Sequence, residues 1–390
     1  MARLGDIVEQ IRGVSYKPED VYAELTDESV ALLRANNIKD GYLDLQDIIY
    51  VDKRRVKANQ YLRAGDILVC TSSGSKALVG KAAYVESNLP MAFGAFCKVV
   101  RPTIEFPKYL GHFFDSPYYR KKISDVSAGA NINNIRNEHI DEIEIQLPSI
   151  KAQKHIISIL NKTNCLIALR KQQLAKLDEL VKARFVEMFG ASKTNSKRWV
   201  KKRLETIAFV GSSKRVFVEE LQDTGIPFYR GTEIGALATG ETVIPDLFIT
   251  EKHYNELCTA SGTPKRGDLL MPSICPDGRI WCVDTDEPFY FKDGRVLWIH
   301  PTDNIIENTY LLYALKEKLI SDYINIASGT TFVELKIFAL KGLEIMIPPL
   351  PLQKSFSDFI QAVHTEQLTI QQGLDKLKTM KNALMQQYFG

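Results

Sequence analysis

At 390 residues the chain is too long for one ordinary core, so two domains or more are expected. Its 45% hydrophobic and 25% charged content is that of a soluble globular protein, and no apolar run reaches membrane-spanning length. A net charge of +3 is too mild to establish a nucleic-acid partner; the six cysteines, lacking CxxC pairs, read as reduced thiols, and with no signal-peptide core a cytoplasmic protein is expected.

In chain order, Arg3-Leu4-Gly5-Asp6-Ile7 opens a stretch of mixed character. A basic run follows, Lys53-Arg54-Arg55 with Lys57, and then a short apolar strand, Asp66-Ile67-Leu68-Val69-Cys70. The polar loop Ser72-Ser73-Gly74-Ser75-Lys76, with Lys81, separates it from a second strand, Ala95-Phe96-Cys97-Lys98-Val99-Val100. Residues 107–126 read as a helix. A polar turn with Asn131, Asn133, Asn134 and Arg136 comes next, just ahead of a strand that ends at Leu147-Pro148. From 149 to 189 there is neither Gly nor Pro, and Leu160, Ile167, Leu174, Val181 and Met188 fall every seven residues. That is one apolar seam at coiled-coil spacing, started after Pro148 and stopped by Gly190. A helix of about forty residues spans about 60 Å, against a mean of about 11–12 residues, and needs a partner.

A basic linker follows, residues 191–203, with Lys193, Lys197, Arg198, Lys201, Lys202 and Arg203. It reads as a solvated, flexible tether, with loose phosphate contact as the second account. Then the chain starts again. Arg203-Leu204 repeats Arg3-Leu4 and Arg266-Gly267-Asp268-Leu269-Leu270 resembles Ala64-Gly65-Asp66-Ile67-Leu68, while Gly294-Arg295-Val296-Leu297-Trp298-Ile299 reads as a strand and 308–326 as a helix. The polar loops now offer Ser212, Ser213, Lys214 and Arg215, then Tyr229, Arg230 and Thr232, Lys252, Arg279, and a turn with Thr330, Thr331 and Lys336. At the back the register is strict: Ile145-Gln146-Leu147-Pro148 returns 200 positions later as Ile345-Met346-Ile347-Pro348, Gln153 as Gln353, and Phe189-Gly190 as Phe389-Gly390. Val363, Ile370, Leu377 and Leu384 form the second seam. The economical partner for each long helix is its own repeat, antiparallel about a pseudo-twofold axis; the alternative is two ordinary helices on their own domains.

No catalytic cluster emerges. Gly74 to Ala82 resembles a phosphate loop, but its glycines are one residue too far apart and Ala82 stands where a magnesium-binding hydroxyl belongs. Ile347-Pro348-Pro349-Leu350 has the prolines of an amino-methyltransferase loop without the amide before them or the aromatic after. Glu334-Leu335-Lys336 could end a nuclease motif, yet its counterpart, Asn134-Ile135-Arg136, has no carboxylate. The six histidines show no paired metal-ligand spacing.

What the fronts do offer is basic, amide and hydroxyl side chains in loops, the types that meet phosphates and base edges. For any one of them a solvated surface residue is the alternative; as sets recurring at matched places they point to DNA.

The order of these parts resembles the DNA-specificity (S) subunit of Type I restriction–modification enzymes. The resemblance rests on two divergent fronts, each followed by a long helix introduced by Leu147-Pro148 with Gln153 or Pro348-Pro349-Leu350-Pro351 with Gln353. The paired openings and Ile226-Pro227-Phe228-Tyr229-Arg230-Gly231 add to it, the nearest first-unit match to the last being Gly41-Tyr42-Leu43-Asp44-Leu45. It implies an α+β fold: target recognition domains over 1–148 and 191–348, joined by two antiparallel coiled-coil helices over 149–190 and 349–390. It further implies a non-catalytic reader of a bipartite target in double-stranded DNA, one half-site per domain, the helices holding the readers roughly one DNA turn of about 34 Å apart. Two methyltransferase subunits would dock on the helices and carry S-adenosylmethionine; two restriction subunits, with ATP and magnesium, would join in the nuclease form. No cofactor or metal is expected in this chain. A coiled-coil scaffold for proteins, and a stand-alone DNA-modifying enzyme with an unrecognised site, are the other readings.

Overall fold

The computed structural model describes the chain apart from residues 40, 76–77, 130–133 and 328–332 and the side chains of 126–129. By its contacts the chain divides into two units, Met1–Gln173 with Ile370–Gly390, and Leu174–Thr369. Each unit is α+β and holds a part of both long helices.

In the first unit a four-stranded antiparallel sheet runs in the order Val8–Arg12, Cys97–Pro102, Ile67–Cys70, Ala82–Tyr84. All four residues of Ile67–Cys70 are buried, the pattern of a strand covered on both faces. A second sheet sets Ser29–Leu33 parallel to Met91–Phe93 and antiparallel to Ile49–Asp52. The turn into Ile67–Cys70 needs a positive φ, which Gly65 supplies at +94°. Beside it the buried Asp66 accepts from the Arg63 N–H (2.8 Å) and pairs with Arg101 (2.7 Å). The helix expected over 107–126 is two helices, Pro107–Phe114 and Pro117–Gly129, because Pro117 lacks the N–H that would continue the first.

The second unit repeats this plan. Ala208–Gly211, Val296–Pro301, Leu269–Pro272 and Trp281–Cys282 form the antiparallel sheet, and Ile226–Tyr229 runs parallel to Tyr290–Phe291. Gly267 has φ +92°, and the buried Asp268 accepts from the Lys265 N–H (2.9 Å) and from Trp298 Nε1 (2.8 Å). The helix Asn308–Ile326 is continuous, having no internal proline.

The backs of the units match bond for bond. Tyr109 Oη donates to the Gln146 carbonyl and Tyr310 Oη to the Met346 carbonyl, each at 2.8 Å. Gln153 and Gln353 donate to the carbonyls of Pro148 (2.9 Å) and Pro348 (2.8 Å), tying each long helix to the strand before it. Ala2–Arg3 pairs with Glu144–Ile145, and Val200–Arg203 with Glu344–Ile347. This last pairing corrects the reading of 191–203 as a flexible tether. Its end is a strand carrying a Lys201–Glu344 ion pair (3.6 Å), and Trp199 Nε1 donates to the Phe189 carbonyl (2.9 Å).

The long helices are Ile150–Phe189 and Leu350–Phe389. In the first unit Ile156 and Leu160 share a core with Met385 and Phe389, and the Phe389 ring lies 5.3 Å from that of Tyr109. In the second, Val181, Phe185 and Phe189 share a core with Phe356 and Val363, and Phe189 lies 4.7 Å from Tyr310. Within each unit, then, the start of one helix packs beside the end of the other. Among the seam residues Leu160, Val181, Val363 and Ile370 are buried, and Ile167, Leu174, Met188, Leu377 and Leu384 half-buried. A further row fills the alternate three- and four-residue steps with Ile156, Thr163 and Leu177 in the first helix. No described helix is long and apolar enough to cross a membrane.

Candidate nucleic-acid interface

In the first unit several chain segments converge at one end of the two sheets. The Gly94 N–H donates to the Leu33 carbonyl (2.9 Å), so the turn before Cys97–Pro102 lies against the end of Ser29–Leu33, and Phe96 and Arg34 line one cleft. The Thr71 N–H donates to the Phe96 carbonyl (2.9 Å), the Ile135 N–H to the Thr71 carbonyl (2.7 Å), and Ser72 bridges Asn134. The result is a cleft of about 650 Å³ whose lining includes Tyr16, Arg34, Asn36, Ser72, Ser73 and Phe96. Phe96 is 70% exposed in the turn that joins the two sheets. Asp47 accepts from Arg34 (3.0 Å) and from Asn36.

The second unit closes its strand ends with the same bonds. The Lys292 N–H donates to the Tyr229 carbonyl (2.8 Å), the Ser273 N–H to the Arg295 carbonyl (2.9 Å), and the Leu335 N–H to the Ser273 carbonyl (2.8 Å). These matched bonds make Arg230 the counterpart of Arg34, Arg295 of Phe96, and Glu334 of Asn134. The first-unit match to Ile-Pro-Phe-Tyr-Arg is therefore Val30-Ala31-Leu32-Leu33-Arg34, not Gly41-Tyr42-Leu43-Asp44-Leu45. Both arginines begin a helical turn, their N–H groups donating to Asn37 Oδ1 and Glu233 Oε2, each at 2.8 Å.

The electrostatics of the second cluster are more closed. Burial pushes the Glu233 carboxyl up, but Arg230 and its own N–H hold it down at about 2. Glu334 is lowered mainly by Lys336 (2.5 Å), and it also accepts from Ser273 (2.7 Å) and Arg295 (3.3 Å). Lys214 and Arg215 are exposed at the loop after Ala208–Gly211 and form no ion pair among the described residues; the Arg215 guanidinium lies 5.1 Å from the Phe217 ring.

Of the residues singled out from sequence, Ser72, Ser73 and Asn134 meet in the first cluster, with Ser75 beside it. Arg230 and Lys336 lie in the second, and Arg136 is exposed at the start of Asn137–Asp141, as Lys336 is at the start of Ile337–Lys341. Thr232 is exposed in the turn after Arg230, and Arg279 pairs with Asp277 (2.8 Å) against the helix Gly231–Ala238. Lys76, Asn131, Asn133, Thr330 and Thr331 lie outside the described residues.

Others are not brought together with these clusters. Ser29 pairs with Asp52, so Lys53, Arg54 and Arg55 sit at the opposite end of the strand Ser29–Leu33 from Arg34. There Arg54 holds the Asp52 carboxyl below its usual range, and Arg55 pairs with Asp20 (2.9 Å). Lys252 follows the strand paired to Ile226, again the far end, with Glu256 4.0 Å away. Tyr229 turns inward, its ring 5.5 Å from Phe289. Sequence reading passed over Arg34, Phe96 and Arg295. An apolar run closing in arginine ahead of a polar turn was the signal at Arg34.

The family model described as the Type I restriction modification DNA specificity domain matches residues 1–179 and again 196–379. The chain belongs to this family. It is 40% identical over 182 residues to the StySPI specificity subunit of Salmonella potsdam and 39% over 183 residues to the EcoKI specificity subunit of Escherichia coli K12. Those stretches are 46% and 47% of this chain, and 39% of each relative's length, so well under half of either relative is matched. A longer match, 25% over 336 residues, joins 80% of this chain to 74% of the MjaIX specificity subunit of Methanocaldococcus jannaschii. Among solved structures, a chain from a study of type I R-M assembly and conformational transition superposes with a TM-score of 0.59 at 15% identity, covering 99% of this chain and 96% of the other. The Type I S subunit of M. genitalium gives 0.54 at 14%, covering 100% and 95%. These two likenesses are of fold. In that fold each specificity domain of this chain carries one strand-end cluster.

Proposed function

We propose that this chain is the sequence-reading subunit of a Type I restriction–modification complex and performs no chemistry itself. Each strand-end cluster reads one half of a bipartite site in double-stranded DNA, and the two long helices form one antiparallel coiled coil on which two methyltransferase subunits dock. The domain limits are those read from sequence, 1–148 and 191–348 for the readers. S-adenosylmethionine belongs to the methyltransferase partners, and ATP and magnesium to restriction subunits where two of these join; the complex acts in the cytoplasm. The carrying observation is that one backbone frame is built twice, with matched bonds at the strand ends, while side chains it presents there differ: Phe96 and Asn134 in one unit, Arg295 and Glu334 in the other. Two unlike surfaces on one frame suit two unlike half-sites.

The test is to express the chain with a cognate adenine methyltransferase and map methylated positions. A bipartite motif with an unread spacer is expected, and exchanging residues 1–148 for those of a relative should change one half only. Methylation by the highly purified chain without its partner, or a change in both halves, would refute the proposal.

A further inference from the structure

Bidentate recognition of a guanine edge requires a guanidinium with adjacent N–H donors that the protein itself has not used. Three arginines stand at the strand-end clusters, and their unused donors differ. Arg230 has no adjacent pair left to offer: Nε donates to Glu233 (3.1 Å), and Nη2 donates to Glu233 (2.7 Å) and to Asp246 (3.1 Å), so among the described residues Nη1 alone is uncommitted. Two carboxylates face its one positive charge. Its counterpart Arg34 gives one Nη2 hydrogen to Asp47 at 3.0 Å; its Nε is buried and not offered, so among the described residues Nη1 and the second Nη2 hydrogen form the adjacent pair left free. Arg34 lines the open cleft beside Phe96. Arg295, the counterpart of Phe96, gives only Nη1 among the described residues, to Glu334 at 3.3 Å, and its side chain is 62% exposed. So where the strand-end arginine keeps a free donor pair the residue at the neighbouring turn is aromatic, and where it does not that residue is arginine.

Resting on the DNA-recognition reading above, we propose that the two units place their guanine-reading arginine on different elements. Arg34, at the end of Ser29–Leu33, serves the first unit, and Arg295, in the turn before Val296–Pro301, serves the second. Asp47 and Glu334 are positioning residues: each holds one amino group and so fixes the plane in which the remaining donors are offered. Arg230 holds its own turn together through Glu233 and Asp246 and reads no base. The arrangement separates specificity between the halves without altering the frame, since the two positions lie on neighbouring segments joined by the same backbone bonds.

The experiment uses the full chain assembled with its methyltransferase partner, methylation mapping, and competition binding with duplexes changed at single bases. Arg34→Ala should relax one guanine position in one half-site, with roughly a 5- to 150-fold loss of discrimination there, and Arg295→Ala one position in the other half. Arg34→Lys and Arg295→Lys keep the charge and lose the fork, so they should relax the same positions while retaining salt-dependent affinity; they also decide the matter if an alanine variant folds poorly. Arg230→Ala should lower the melting temperature and leave every base preference in place. Unchanged preferences in the Arg34 or Arg295 variants, or a relaxed base in the Arg230 variant, would overturn the assignment while leaving the DNA reading intact. Failure of the wild-type complex to methylate any bipartite motif would instead sink that reading, and this assignment with it.

Discussion

His112 makes the first unit sensitive to mild acid. Its ring is 3% exposed within Pro107–Phe114, and Nε2 lies 2.9 Å from Asn161 Oδ1 on the first long helix. Burial, reinforced by the Lys108 and Lys381 ammoniums, pushes its pKa down to about 4. An unfolded histidine takes up its proton near pH 6.5. Because the folded value is depressed, the contribution to stability is full above about 6.5 and drains away as pH falls from there toward 4. Over that whole window about 3 kcal/mol is at stake, and about 2 kcal/mol is already lost at pH 5. Carboxylates held low in the fold, such as Asp20, Asp52 and Glu233, act below their own unfolded values, so pH 7.5 against 5.0 isolates the histidine range. Native-state hydrogen exchange at residues 107–114 is the assay, comparing wild type with His112→Gln, which can still donate to Asn161. The wild type should lose about 2 kcal/mol more opening free energy than the variant between the two pH values. Parallel losses in both proteins would refute the reasoning.

Phe189→Ala removes a fully buried ring packed on Tyr310 and Phe356 and should cost about 3–5 kcal/mol in urea unfolding of the second unit. Phe389→Ala should do the same to the first. Gly373 lies within the second long helix with open space where a Cβ would go, so Gly373→Ala should stabilise by about 0.8–1 kcal/mol, seen as a rise in melting temperature. Ending the chain after Thr369 removes Ile370, Leu374, Met385 and Phe389, each buried in the first unit. At about 1.5–3 kcal/mol per side chain this approaches the stability of a whole domain. Limited proteolysis should then degrade residues 1–173 and spare 174–369.

Much of this architecture is written in local pattern. The first long helix is legible because an apolar step of seven residues with no glycine or proline has one reading, the second because the same step returns in Val363, Ile370, Leu377 and Leu384, and Gly65-Asp66 and Gly267-Asp268 because both mark a positive-φ turn beside a buried carboxylate. The break at Pro117 is equally visible, since a proline ten residues into 107–126 cannot continue a helix begun at Pro107. The interface was harder. Which loops meet depends on sheet order, and a parallel strand pair such as Ser29–Leu33 with Met91–Phe93 joins segments some sixty positions apart, which no local spacing reveals. Basic runs misled for the same reason: Lys53-Arg54-Arg55 is conspicuous in sequence yet lies at the wrong end of its strand, while Arg34 is a single charge in an unremarkable run. Nor does a residue type say how many of its donors are spent, and only the bonds to Glu233 and Asp246 distinguish Arg230 from Arg34.

The uneven fidelity of the repeat follows from what each half must touch. The first unit takes the end of the second long helix into its core, and the second unit takes the end of the first, so Phe389 meets Tyr109 and Phe189 meets Tyr310 in like settings. The same tyrosine then bonds the strand that starts the other helix, at Gln146 and Met346, and the glutamines that follow bond the same proline carbonyl. A change at any of these positions would leave a cavity or an unpaired buried group, each worth a large fraction of a domain's stability. The strand ends carry a different constraint. Their backbone bonds repeat, but Phe96 and Asn134 are exposed there and belong to no hydrophobic core, so having arginine at the one or glutamate at the other empties none. The frame therefore stays in register at an interval of 200 residues along the helices and slips where the chain reaches the clusters, because packing fixes the one and only the bound partner would constrain the other.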